Sequence, residues 1–428
     1  MQRSPESPGR VAFRYPNFRY YMTARFLISA ASEMQAVAVA WQVYGLTHRP
    51  LDLGLVGLAQ FLPGILLFLP AGHTADRIAR QRILQACCAA FTLCSLSLLS
   101  LAMGGVASVY PIYLVLLGNG AIRAFNGPAG QAFLPLLVET EHFPNAVAWS
   151  SSIFHAATIL GPLAGGLLYG WTGSPAPVYS FAALAFLTGL VLVSAIRTPA
   201  VERPRAAASA GLVLDGFRYI WRHKLLLGAL SLDMFAVLLG GAVALLPVYA
   251  REILRVGASG LGLLRSAPGV GAVLMAVMVA HRPVRRRAGA TMLWCVFGFG
   301  LCTVVFGLSR HLALSLAALV LLGACDMISV IVRQTMIQLA TPDDMRGRVS
   351  AVNMVFIGAS NEMGQFKSGI TAQWFGTVPA VILGGLGTMA IVAIWARLFP
   401  ALRRAEALVP QRAEKRFPPG LQLPPESP

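Results

Sequence analysis

Residues 51–82 read LDLGLVGLAQFLPGILLFLPAGHTADRIARQR. The first twenty-one of them carry one charge, Asp52, and then Arg77, Arg80 and Arg82 arrive within six positions. A helix needs roughly 20 predominantly apolar residues to cross a bilayer. An apolar run of that length closed by arginines has the form of a membrane span emerging on the side where basic loops are kept.

Eleven more stretches repeat the pattern. Spans are expected at 20–45, 51–71, 83–103, 109–131, 145–168 and 177–197, then at 225–249, 258–280, 290–309, 312–333, 349–372 and 378–399. Short alternating strands of a barrel are not seen, so helix is the state that satisfies the backbone in lipid. The expected fold class is an all-α membrane protein of twelve transmembrane helices in two six-helix repeats. It divides into an N-terminal half 1–197, a cytoplasmic linker 198–223, a C-terminal half 224–400 and a cytoplasmic tail 401–428.

Composition agrees. Of 428 residues, 56% are apolar and 12% charged, where a soluble domain carries about 25% charged. Too few charges remain to cover a soluble chain of this length, which excludes an ordinary cytosolic enzyme, a disulfide scaffold and a disordered chain. The six cysteines lie inside apolar runs and read as small hydrophobes. Residues 1–19 are polar and basic, unlike a cleavable signal. A net charge of +17 raises nucleic acid as a partner. The basic residues fall in short segments between apolar runs, however, so membrane lipid is expected and nucleic acid is not. Twenty-six of them are assigned to the side of the termini, Arg333 at the close of the tenth span included; Arg49, Arg251, Arg255 and Arg310 face the other side. The excess marks the cytoplasmic face, so both termini are expected in the cytoplasm.

The halves are related by a shift of about 205 residues. Leu53–Ile65 and Ala258–Val270 coincide at Gly57/Gly262, Leu58/Leu263, Pro63/Pro268 and Gly64/Gly269. Duplicated membrane halves are a transporter signature: a site near the midplane opens to each side as the halves rock.

Eight ionisable residues fall within spans: the acids Glu33, Asp233, Asp326 and Glu362, and the bases Arg25, Arg123, Arg265 and Lys367. A charge at the bilayer centre costs roughly 2.5–3.5 kcal/mol, so such residues pair or face a wet cavity. Arg25 and Lys367 lie near span ends and are placed to snorkel. Glu33, Asp233 and Arg123 sit deep and point to function.

Three motifs sharpen the reading. GHTADRIARQR at 72–82 follows the second span. Gly72 permits close helix approach, and Asp76 can pair with cations near helix ends and latch the halves. Arg123 and Gly127, with Asn126 between them, lie in the fourth span. Gly161-Pro162-Leu163-Ala164-Gly165-Gly166 lies in the fifth. These stretches resemble the GxxxDRxxRR-like loop, the RxxxG element and the GPxxGG motif of the major facilitator superfamily. The finer resemblance is to its enterobactin-exporter group and macrolide-efflux relatives. It is carried by Ala24-Arg25-Phe26, Leu261–Arg265, Thr341–Val349 and Asn361–Gly369. Many relatives carry acidic residues near where this chain has Gln365 and Lys367.

The resemblance implies a cavity lined by the first, fourth, seventh and tenth spans and an Arg123 that influences a neighbouring carboxylate. It also implies proton-coupled export from the inner membrane. The expectation is a secondary transporter that exports a small amphipathic molecule, siderophore or drug-like, by proton antiport. Proton coupling is expected on Glu33, Asp233 and Arg123, with Glu33 first. The substrate cavity is expected at Glu33, Arg123, Asn126, Asp233 and Asp326, with Trp41, Phe125 and Phe235 as apolar walls. The gating loop is Gly72, Asp76, Arg77 and Arg80, and the antiporter motif is Gly161, Pro162, Gly165 and Gly166. Neither cofactor nor metal is expected, and a monomer is. An importer or facilitator on the same fold stays open, as does a receptor or enzyme, although no HExxH, GxSxG or phosphate loop supports catalysis.

Overall fold

The computed structural model describes residues 8–105, 107–197, 210–282 and 287–405, and of these not the side chains of 8–10, 68, 69, 73, 75, 76, 210–213, 343 and 344. Among the described residues there is no strand. The N-terminal half is built from α1 (Pro16–Thr47), α2 (Pro50–Leu66), α3 (Phe68–Arg77), α4 (Arg80–Met103), α5 (Tyr110–Phe133), α6 (Phe143–Thr172) and α7 (Ala176–Ala195). Then come α8 (Ala210–Arg222), within the expected linker, and α9 (Lys224–Gly240). A 3-10 turn (Ala242–Leu245), α10 (Leu246–Val248) and a π-helical turn (Tyr249–Ile253) continue α9. The half closes with α11 (Gly257–His281), α12 (Ala288–Leu308), α13 (Leu312–Ala340), α14 (Asp343–Phe375), α15 (Thr377–Leu398) and α16 (Pro400–Arg403).

A helix lies over each of the twelve expected stretches. Among the described residues, nine helical segments are individually long and apolar enough to cross a membrane. The remaining stretches are covered by α2 with α3, by α5 and by α14. These are less apolar because they carry Gln60, Arg123, Asn126, Glu362 and Lys367. They also pack together, α2 lying against both α5 and α14, which keeps their polar faces off lipid.

Two spans depart from the expected boundaries for identifiable reasons. Pro70 has no N–H for the Leu66 carbonyl, which marks the bend between α2 and α3. The ladder persists around it, with Leu67 N to Pro63 O and Ala71 N to Leu67 O both at 2.8 Å. The helix therefore runs on to Arg77, and the expected loop from Gly72 shrinks to Ile78 and Ala79. At the tenth span α13 continues to Ala340, so Arg333, expected at the basic end, is 2% exposed inside a helix.

Each half has its own core. Phe18, Phe91, Phe133 and Phe186 anchor one; Leu232, Met292, Val296 and Val332 anchor the other. A third cluster crosses between halves, joining Val37, Tyr44 and Leu53 to Leu246, Tyr249, Leu261 and Leu264. It lies toward the end of the bundle remote from the termini, here called the far end. Lipid is as apolar as leucine, so helices in a membrane associate through close packing of small residues. A Cβ on Gly166 would stand 2.6 Å from the Gly262 Cα, and one on Gly54 3.2 Å from the Gly369 Cα. Backbone therefore meets backbone where α6 touches α11 and where α2 touches α14. Toward the terminal end, a Cβ on Gly64, Gly127 or Gly358 would meet nothing within 4 Å.

Candidate functional site

Among the described residues, two ion pairs cross between the halves deep in the bundle. Arg123 Nη1 of α5 lies 4.0 Å from Glu362 Oε1 of α14, and Arg265 Nε of α11 lies 3.9 Å from Glu33 Oε2 of α1. Each joins an acid of one half to a base of the other, near the midpoints of their helices. Side-chain amides complete the group. Arg123 Nη1 donates to Gln60 Oε1 at 3.1 Å, and Gln365 Nε2 donates to Glu362 Oε2 at 3.1 Å. Glu33 thus faces Arg265, not Arg25 two turns along its own helix; the buried Arg25 Nε has no hydrogen-bond partner.

Exposure decides what these pairs can do. The Arg123 side chain is 59% exposed, and a long, solvated pair is worth about 0–1 kcal/mol. Such a contact can be made and broken as the halves move. One helical turn from Arg123 toward the terminal end stands Gly127, and one turn from Glu362 the same way stands Gly358. Both face open space. A further turn on, Gln131 Nε2 and Met354 Sδ approach to 3.9 Å. Open space thus borders α5 and α14 between the Arg123–Glu362 pair and the contact of Gln131 with Met354, a stretch here called the cleft. Asn126 is half-buried beside Gly127.

Asp233 and Asp326 stand apart from this group. Asp233 of α9 is ion-paired with Arg333 of α13, their side chains 8% and 3% exposed. Asp326 lies on the same side of α13 and, with Asp233 and Ser329, lines a small cavity inside the C-terminal half. Breaking a buried pair by removing one partner costs about 3–5 kcal/mol, so Asp233–Arg333 ties its half together. The aromatic residues also divide. Trp41 packs on Tyr169 and carries Arg251 5.3 Å above its ring at the far end. Phe235 packs on Trp395, and Phe125 on the N-terminal core.

The glycine motif holds Glu33 in place. A Cβ on Gly161 would lie 2.7 Å from the Glu33 Cβ, and one on Gly165 2.7 Å from the Met34 Cα. Gly161 and Gly165 therefore clamp α1 against α6, while Gly166 touches the other half, and Pro162 is buried between them. In the second motif, Gly72 and Arg77 lie on α3, and the side chain of Asp76 lies outside the described residues. Arg80 Nη1 donates to Ala132 O at 2.9 Å at the end of α5. Gln81 Nε2 donates to Val193 O at 2.9 Å and Ile196 O at 2.7 Å at the end of α7. Both side chains satisfy carbonyls that helix ends leave open.

Gln60, Arg265, Glu362, Gln365 and Arg333 were not among the expected site residues. One signal points to two of them: at the shift of the internal repeat, Gln60 and Arg265 occupy equivalent positions, and both reach a charge in the seam.

A family model described as transmembrane secretion effector matches residues 8–423. The enterobactin exporter EntS of Shigella boydii serotype 4 is 29% identical over 382 residues, covering 88% of this chain and 86% of the relative. The enterobactin exporter EntS of Escherichia coli O139:H28 is 28% identical with the same coverage. Among solved structures, the nucleoside transporter NupG matches with a TM-score of 0.70 at 13% identity, over 90% of this chain and 99% of that one. A bacterial homologue of the iron transporter ferroportin matches with a TM-score of 0.67 at 13% identity, over 91% and 98%. At such identities the structural likeness speaks for the fold alone.

Proposed function

Because the chain belongs to the transmembrane secretion effector family of the major facilitator superfamily, and is a multi-pass transporter exporting a small molecule, we propose a finer reading: proton-driven export of an amphipathic compound, siderophore or drug-like, across the inner membrane. The crossed ion pairs carry this reading. They are the charges that separate when the halves rock, and they border the cleft where a solute would lodge.

With the basic terminal end taken as cytoplasmic, the close glycine contacts join the halves on the periplasmic side, and the open space beside Gly127 and Gly358 lies behind the Gln131–Met354 contact on the cytoplasmic side; parting of that contact admits the solute. A solute enters the cleft from the cytoplasm and meets Arg123, Asn126 and Gln60, which offer donors to an oxygen-rich group. Opening of the far end then draws Arg265 away from Glu33. The carboxylate left without its cation is neutralised by a periplasmic proton, and the solute departs. Return of the halves restores Arg265 and delivers the proton inward. A charge moved through the membrane potential supplies roughly 2.3 kcal/mol per 100 mV, which drives uphill export. The EntS relatives are named for enterobactin export, which supports the siderophore side of the substrate class.

The test is Glu33→Gln in inverted vesicles. Uphill export driven by an imposed proton gradient is expected to vanish while substrate binding to purified protein persists. Wild-type uphill export in that variant would remove Glu33 from the coupling step. Topology is tested separately: a cysteine at Arg49 is expected to react with an impermeant maleimide outside intact cells, and one at Arg205 is not.

A further inference from the structure

We propose that the cavity inside the C-terminal half, between α9, α12 and α13, binds one small monovalent cation, a proton or a sodium ion, on Asp326. This site lies within one half, apart from Glu33 and the crossed pairs, and goes beyond the export reading.

The charges there do not balance. Asp233 and Asp326 both line the cavity, and Arg333 is the guanidinium beside them. Arg333 is committed to Asp233 through a hydrogen-bonded ion pair. Among the described residues no donor is placed on Asp326, whose charged neighbours are that same acid and base. An ionised Asp326 would therefore leave one uncompensated negative charge among apolar helices, an arrangement that proteins avoid by neutralising the group or binding a counter-ion.

A second observation points to a ligand. Ser329 is 1% exposed, lines the cavity, and its Oγ has no hydrogen-bond partner. Buried hydroxyls are nearly always paired. Asp326, Ser329 and Arg333 follow one another at i, i+3 and i+7, so they share one face of α13. A neutral Asp326 can be bridged to the Ser329 hydroxyl by a water in the cavity, since the two side chains make no direct hydrogen bond. Alternatively, carboxylate and hydroxyl oxygens, with water, supply the hard ligands a sodium ion takes. The other titratable groups at the site are sulfurs: Cys295 lines the cavity from α12 and Cys325 from α13, with Cys302 of α12 beside Cys325. Thiols are soft ligands and leave a hard cation to the oxygens. From α11 and α14, which also pack on α13, no charged residue lines the cavity. Loss of the cation leaves Asp326 charged and competing with Asp233 for Arg333, which loosens the tie between α9 and α13 seven residues before α9 breaks at Gly240.

The experiment needs no transport and so stands apart from the export reading. Full-length protein in detergent is titrated with radiolabelled sodium at constant ionic strength. In parallel, infrared difference spectra across pH follow the carbonyl stretch of neutral carboxylic acids. If the cation is sodium, saturable binding of one ion per chain is expected, lost in Asp326→Asn and weakened about tenfold in Ser329→Ala, the size of one good ligand contact. If it is a proton, sodium does not bind. Instead a neutral-acid band titrates, disappears in Asp326→Asn, and shifts in frequency in Ser329→Ala. Should Asp326→Asn fail to fold, the Ser329→Ala shift in affinity or frequency decides. No sodium binding together with no band that responds to either variant would overturn the proposal.

Discussion

Glycines 127 and 358 differ from glycines 166 and 262 in what surrounds them, and that difference predicts opposite phenotypes. A Cβ at either of the first two meets open space, whereas a Cβ on Gly262 would stand 2.6 Å from the Pro162 carbonyl oxygen. Gly358→Leu is therefore expected to fold at wild-type yield and to lower export at least tenfold by filling the cleft, while Gly166→Leu is expected to lose folded protein. Yield, thermal melting and efflux separate the two; a Gly358→Leu protein that exports normally would place the solute elsewhere. The sequence marks Gly127 and Gly166 by motif and Gly262 by the internal repeat and leaves Gly358 unmarked, and small size alone does not distinguish a helix contact from an open wall. The same holds for the charges. That Glu33, Arg123, Arg265 and Glu362 must pair or be wet follows from their place in spans. Which base meets which acid depends on how two separate halves register, which no local pattern encodes.

At the level of the helix, the break in α9 is the feature that hydropathy could not reveal. From Met234 to Val248 the segment is apolar throughout, yet α9 stops at Gly240, and a Cβ on Gly241 would come 2.9 Å from the Gly364 carbonyl oxygen. Helix α14 crosses there, and Lys367 Nζ donates to Leu239 O at 2.6 Å. Lys367 was expected near a span end and free to snorkel. Instead α14 runs on to Phe375, and the amine covers a carbonyl that the break exposes. Leaving a buried acceptor unsatisfied costs about 1–3 kcal/mol. Lys367→Met is accordingly expected to lower the melting temperature in detergent by several degrees, and Lys367→Arg to retain most of it. Equal melting of all three proteins would mean that water replaces the amine. The linker is a similar case. Its polar composition predicts a connection, and the structure adds α8, held to α14 by Asp215 and Arg348 at 3.5 Å and to α13 by Tyr219 Oη donating to Ala340 O at 3.2 Å.

For the molecule as a whole, the duplication legible at Gly57/Gly262 and Gly64/Gly269 explains the seam. The first repeat's α2 lies against α14, and its counterpart α11 lies against α6, so each half offers one helix of each kind. Gly161 and Gly166 of α6 match Gly364 and Gly369 of α14: the first of each pair packs within its own half, and the second meets the other half. Symmetry of this kind makes two equivalent contacts and gives neither end priority. What biases the far end toward closure is an asymmetric addition. The π-helical turn after α10 points Glu252 at the Tyr44 hydroxyl, which donates to it, and sets Arg251 over Trp41. π-Helical turns recur at functional sites because they re-aim side chains within a helix. A hydrogen bond to a charged group contributes about 1.5–3 kcal/mol, or roughly ten- to a hundredfold in a two-state ratio. Tyr44→Phe should therefore raise the population open at the far end by about that factor. Ala40, 8% exposed in the cluster that joins the halves, reports on it. In a background without the native cysteines, Ala40→Cys is expected to react with external maleimide several-fold faster once Tyr44→Phe is added, and faster again with Glu252→Gln only if Arg251 relies on Glu252 for its position over Trp41. Reaction at an unchanged rate in both variants would assign closure of the far end to the glycine contacts alone.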